Sequence, residues 1–176
     1  MTLLESLITD LRRLHDALDK SLDGLTSEQL HAVPAGHPKA NTIAWNLWHY
    51  VRTEDNVVRF ALQNRRPTVW IEAGYPERLG LHPAAQGTGM STAEAQALRV
   101  KDVPLFVEYM KKVWESTEAY VRTLTPAELD RKVALKFVGE MPVARVLAQV
   151  GVTHGFTHFG EIELARTLVG AAPVGG

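Results

Sequence analysis

The stretch Pro142-Val-Ala-Arg-Val-Leu-Ala-Gln-Val-Gly-Val-Thr-His154-Gly-Phe-Thr-His158-Phe-Gly-Glu161-Ile-Glu-Leu-Ala165-Arg-Thr-Leu168-Val169 decides the fold. On a wheel of about 100° per residue, Val143, Leu147, Val150, His154, His158, Glu161, Ala165 and Leu168 fall in one narrow stripe. A stripe of that length predicts a helix from about Pro142 to Val169, with Gly170 as its C-cap and one face turned into a core. Both histidines stand in the middle of that face, one turn apart.

Two imidazoles at i and i+4 lie side by side, the spacing that helical zinc sites use. The zinc-protease signature is absent, because Gly155 stands where that motif carries its Glu. Two readings compete. Both rings are core histidines satisfied by hydrogen bonds, or both ligate one metal ion. Each buried ring nitrogen needs a partner in an apolar interior, and a metal satisfies both rings at once. That economy favours the metal. Glu161, one turn further on, is placed to orient an imidazole or to join the ligand shell.

Working outward, leucines at Leu4, Leu7, Leu11, Leu14, Leu18, Leu22 and Leu25 recur mainly at intervals of three and four, the seam of a bundle helix over residues 3–25. Thr26-Ser-Glu-Gln29 is a capping box that opens a short helical turn before Pro34. A loop from Pro34 to Lys39 leads to a second long helix, about Asn41 to Asn64, which Arg65-Arg-Pro67 stops. Helical patterning is lost from Pro67 to Met90, and a loop of that length often forms a lid, here carrying Trp70 and Tyr75. A third helical region runs from near Ser91 to Leu124, broken before Pro104. Thr125-Pro-Ala-Glu128 is another capping box, and Val133 to Val138 alternate weakly as a short extended link. The sum is an all-α four-helix bundle with a long crossover connection, one domain over residues 1–176.

The charge balance, nineteen basic against twenty acidic residues, is spread evenly. No basic stripe offers a nucleic-acid surface, and Arg65-Arg66 is too short to make one. No apolar run is long enough to span a bilayer. The N-terminus alternates Leu with charged residues, unlike a signal or transit peptide, so a cytoplasmic protein is expected. Cysteine is absent, which excludes thiolate ligands and a cysteine nucleophile belonging to the chain. Any thiol chemistry needs a thiol brought by a ligand.

The second helix is less regular. Ile43, Leu47, Val51, Val58, Ala61 and Leu62 form its apolar stripe, and Glu54 falls inside that stripe. Glu54 is there as a buried ion pair, with an arginine as its candidate partner, or as a support for a site. His49 lies off the stripe beside Trp45 and Phe60, where the wheel leaves ligand and structural roles equally open. Trp45 and Trp48 read as core or interface anchors. His15 borders the leucine seam, a position for a partly buried pocket residue. His31, His37 and His82 fall in loops as solvated side chains.

Asn41-Thr-Ile-Ala-Trp45-Asn-Leu-Trp48-His49, followed by Arg52-Thr-Glu54-Asp55, resembles the second helix of the DinB-like superfamily. Val152-Thr-His154-Gly-Phe-Thr-His158-Phe-Gly160-Glu161-Ile162 resembles its last helix. Trp70-Ile-Glu-Ala-Gly74-Tyr and Arg78-Leu-Gly80 are similar to the connection of one branch. The resemblance implies a four-helix bundle that holds a divalent metal, commonly nickel or zinc, on three histidines matching His49, His154 and His158. It further implies frequent homodimers, and relatives that are metal-dependent transferases of low-molecular-weight thiols. Three imidazoles leave a coordination position open, as catalytic sites do. A metal-dependent thiol S-transferase acting on a small-molecule substrate is therefore expected. The alternatives are a metal-dependent hydrolase and a non-catalytic, stress-related metal-binding module.

Overall fold

Short hydroxyl side chains start most of the helices. Thr2, Thr26, Thr42, Thr68, Ser91 and Thr125 each accept a hydrogen bond from the backbone N–H three residues on, satisfying a donor the helix itself leaves free. The computed structural model describes residues 2–136 and 138–174. The described residues are mostly helical, 63% helix and 5% strand. In order come α1 (Leu3–Lys20), α2 (Ser27–His31), α3 (Ile43–Asp55), α4 (Val69–Glu72), α5 (Tyr75–Leu79), α6 (Thr92–Ala97), α7 (Val103–Arg122) and α8 (Pro126–Asp130). An antiparallel hairpin of β1 (Lys132–Leu135) and β2 (Gly139–Pro142) leads into α9 (Val143–Val146) and α10 (His154–Leu168).

Four long helical segments carry the core. α3 is central, packed by α10, α7 and α2, while α1 packs on α7 and on the last helical segment. One end of the interior is aromatic, built on Trp48, Trp70, Tyr75, Phe106 and Tyr109; the other is aliphatic, with Leu7, Leu11, Val58, Val121, Val143 and Leu147. No helix among the described residues is long and apolar enough to cross a membrane.

The sequence expectations hold for both capping-box turns and for the break before Pro104, which sits in the first turn of α7. They fail at four places. The leucine helix ends at Lys20, and Leu22 and Leu25 pack on the core from the turn beyond it. Residues 67–90 contain two short helices, and Trp70 and Tyr75 are fully buried rather than spread over a site. The Asp55 carboxylate holds them in: it accepts the N–H groups of Val69 and Trp70 at 2.9 Å each and the Tyr109 hydroxyl at 3.1 Å. The extended link is half of a hairpin.

The fourth difference matters most for the site. Both site-bearing helices slip into π-helical hydrogen bonding, over Asn56–Ala61 after α3 and over Leu147–Thr153 between α9 and α10. Each slip inserts extra residues into the turn and rotates the next residues of the helix relative to a uniform wheel. The buried face of the last helix is therefore Gly151, Gly155, His158, Ile162 and Ala165. Val150 and His154 are half-buried at its edge, and Glu161 is exposed.

Glu54 also departs from expectation. Its partner is a histidine: Glu54 Oε2 lies 3.2 Å from His15 Nε2, both side chains buried, and Glu118 flanks the other ring nitrogen at 3.5 Å. His31 is structural rather than merely solvated: Nδ1–H donates to the Ser27 carbonyl and Nε2 accepts the Val100 N–H.

Candidate metal centre

His49 comes from α3, and His154 and His158 from the first turns of α10. One ring nitrogen from each lies within 4.8 Å of the others. The three ring planes are mutually near-perpendicular, at 88°, 83° and 82°, with centroids 5.5, 5.1 and 4.5 Å apart. Gly155 permits this convergence. A Cβ there would sit 2.2 Å from Leu14 Cδ2 and 2.7 Å from the Tyr50 ring, so a side chain would force α10 away from α1 and α3.

Neighbours that can only accept hydrogen bonds assign two tautomers. His49 Nδ1–H donates to the Gln86 carbonyl at 2.5 Å, and His158 Nδ1–H donates to Glu161 Oε2 at 2.7 Å. Each Nε2 then carries a lone pair directed at the cluster. His154 Nε2 lies 3.0 Å from His158 Nε2. A proton on His154 Nε2 would join the two rings, but would leave His154 Nδ1 a buried lone pair without a donor. That nitrogen has no hydrogen-bond partner, and the group influencing it is the Val150 carbonyl, another acceptor. A cation bound at Nε2 moves the proton to Nδ1, facing the carbonyl. Two nitrogens each ~2.1 Å from one ion, at the angles of ordinary coordination, lie about 3.0–3.4 Å apart. The residues fit a metal ion, and the group could hold one.

Electrostatics keep His49 and His154 neutral. Burial, reinforced by the neighbouring imidazoles of His158 and His49, pulls His154 down to about 4. Burial also lowers His49, against the raising effect of Gln86. The hydrogen bond from His158 holds Glu161 below its usual range, so it is an anion at neutral pH. Trp45 stacks on His49 with centroids 4.7 Å apart and covers one face of its ring. This tryptophan is both core and site wall, whereas Trp48 is core alone.

The crossover reaches the site through its last residues. Gln86 supplies its carbonyl to His49, while its side-chain amide oxygen accepts from Asn56. Gly87, at φ +92°, lies so close that a Cβ would meet His49 Nδ1 at 2.5 Å. Sequence reasoning missed both. Gln86 acts through its backbone, which leaves no trace in residue type, and Gly87 is one glycine among thirteen. A cavity of about 1040 Å³ opens beside His49 and His154, bounded by the helix after α3, the segment before α10 and the β-hairpin. His37 and His82 are both exposed, apart from the cluster.

Residues 10–162 match the DinB superfamily. A solved structure, a conserved protein from Enterococcus faecalis, has the same fold: TM-score 0.82 over 96% of this chain and 98% of that one, at 19% identity. No curated protein matches.

Proposed function

The chain belongs to the DinB superfamily, and from that premise we propose that it binds one divalent ion on His49, His154 and His158 and transfers a low-molecular-weight thiol to a substrate in the adjoining cavity. The observation that carries this reading is the convergence of the three imidazoles, two with Nδ1 tied so that Nε2 faces inward. Nickel and zinc suit such a nitrogen donor set. The four long helical segments are read as a four-helix bundle with a long crossover, forming one domain of a cytoplasmic homodimer.

A divalent ion held by His49, His154 and His158 would lower the pKa of a thiol and supply a thiolate near neutral pH. The chain's own residues do the rest. Burial keeps His49 and His154 unprotonated and available as ligands. Glu161 and the Gln86 carbonyl fix two rings in orientation, and Trp45 shields one of them from water. With no cysteine in the chain, the sulfur comes from an external thiol. Its S–H proton passes to solvent, and the sulfur bonds to the substrate as the leaving group departs with its electron pair.

Metal analysis of purified protein tests the first half. One equivalent in the wild type is expected, with loss in each of His49→Ala, His154→Ala and His158→Ala. Thiol-dependent turnover that survives His154→Ala would overturn the second half. Equal product formation without added thiol would identify hydrolysis instead.

A further inference from the structure

We propose that Asn56 is a positioning residue for His49: from two helical turns away it grips Gln86, and so fixes which imidazole nitrogen carries the proton and where the ring points. The consequence for metal affinity rests on the three-histidine reading, and nothing in the proposal rests on the thiol chemistry.

Residues 81–90, between α5 and α6, form neither helix nor strand, so side chains from elsewhere set their course. One stripe of helix supplies them. His49, Arg52 and Asn56 follow one another at spacings of three and four, on a single face of α3 and its C-cap. They hold neighbouring residues of the crossover. Arg52 Nε donates to the Ala85 carbonyl at 3.2 Å, His49 Nδ1 to the Gln86 carbonyl at 2.5 Å, and Asn56 Nδ2 to the Gln86 side-chain oxygen. Trp70 Nε1 pins the same segment further back, donating to the Pro83 carbonyl at 3.0 Å.

Gln86 is therefore gripped twice, by His49 at its backbone and by Asn56 at its side chain. Arg52 fixes the residue before it; Asn56 fixes Gln86 itself, independently of the ring that Gln86 must orient. The contact transmits small displacements. At Gly87 a Cβ would meet His49 Nδ1 at 2.5 Å and Cγ at 2.9 Å, so the backbone lies directly against the imidazole edge. With the carbonyl in place the proton stays on Nδ1 and the Nε2 lone pair is free for an ion. With the carbonyl displaced, the proton can occupy Nε2, the nitrogen that an ion needs. Arg52 also reaches Asp55 at 3.5 Å and the Tyr109 hydroxyl at 3.3 Å and lies over the Trp70 ring, so its loss would disturb the core. Asn56 is half-buried at the cavity wall, and can be changed without opening the core.

Nitrogen NMR of the metal-free full chain, with the His49 signals assigned by their loss in His49→Ala, reads the tautomer. The wild type should show His49 protonated at Nδ1, with a slowly exchanging N–H. Asn56→Leu, of similar size, should mix the two tautomers and speed that exchange while Tm changes little. In chelator competition with zinc or nickel, Asn56→Leu and Gln86→Ala should each weaken affinity about tenfold, the lower end of what losing a ligand's partner costs. The double variant should lose no more than either alone, because both substitutions cut the same link. An unchanged tautomer and exchange rate in Asn56→Leu would overturn the proposal, and so would losses that multiply to about a hundredfold in the double variant. A merely structural Asn56 would lower Tm without moving the tautomer. A wild type that takes up no metal would defeat the metal reading, while the tautomer comparison would still decide the link from Asn56 to His49.

Discussion

His154 Nε2 and His158 Nε2 face each other at 3.0 Å, one turn apart on the same helix, and His49 meets both edge-on from another helix. With His158 protonated at Nδ1, two lone pairs would confront each other unless a proton or a cation stands between them. A cation gives the whole group its partners, and because it would bind the folded chain alone it must also stabilise the fold. At a metal concentration about a thousand times Kd that linkage is worth about 4 kcal/mol, roughly 8–16 °C in Tm for a domain of this size. Thermal melts of chelator-treated protein with added nickel or zinc should show this rise, and His158→Ala should abolish it. An unchanged Tm on saturation would count against an ion at this cluster.

Glu161 is exposed yet hydrogen-bonded to His158 Nδ1 at 2.7 Å. Its role is to hold the ring in orientation, so its loss should act on the metal rather than on the fold. Removing such a partner commonly weakens metal affinity 10–100-fold. Glu161→Ala should do so with little change in the Tm of metal-free protein, while Glu161→Gln, still an acceptor at Oε1, should fall between. Competition with a chromogenic chelator measures all three. Glu161→Ala matching the wild type would show that the contact does nothing for the ion.

The sequence disclosed the histidine pair but not the cage around it. His154 and His158 announce themselves by i, i+4 spacing on an apolar helix, because that periodicity is local. The same wheel misplaced Glu161 and centred the buried face wrongly, because a uniform rotation cannot register the π-helical slip over Leu147–Thr153. His49 was ambiguous for a different reason. α3 is buried from Ile43 to Arg52 on every side, so no single stripe marks its core face. Only the resemblance singled His49 out. Trp70 and Tyr75 looked like lid residues because the partner that pins their segment, Asp55, lies fourteen residues before Val69, and no local pattern links them.

Gly155 tests whether helix approach, rather than the histidines alone, makes the site. A methyl group there overlaps Leu14 and Tyr50. Overpacking of this kind usually costs about 1–3 kcal/mol. Gly155→Ala should lower Tm by roughly 2–12 °C and weaken metal binding, since the shift carries His154 and His158 away from His49. Gly160→Ala, on the same helix with open space beyond its Cα, is the control: it should leave metal binding unchanged and raise Tm slightly, because alanine favours a helix interior by about 0.5–1 kcal/mol over glycine. If Gly155→Ala melts and binds metal as the wild type does, the close approach is not what holds the three rings together.

The pair of His15 and Glu54 predicts a pH signature independent of any metal. Burial pushes His15 down, but the Glu54 and Glu118 carboxylates overcome it, and its pKa in the folded protein lies above 6.5. Burial pushes Glu54 up, but His15 and the hydroxyls of Thr117 and Tyr50 overcome it, and its pKa lies below 4.5. A raised histidine contributes stability that is complete below pH 6.5 and is lost as pH climbs through the folded value. A depressed carboxylate contributes stability that is complete above pH 4.5 and is lost as pH falls through the folded value. The two contributions overlap fully only between pH 4.5 and 6.5. The double variant His15→Leu, Glu54→Leu lacks both groups, so its Tm subtracted from that of the wild type should trace a plateau over that window and fall on either side. Each single variant strands one buried ion and should lose about 3–5 kcal/mol where that ion is charged, more than the double variant loses. Melts in matched buffers from pH 4 to 9 provide the measurement. A difference curve flat across the whole range would mean that His15 and Glu54 meet as neutral groups.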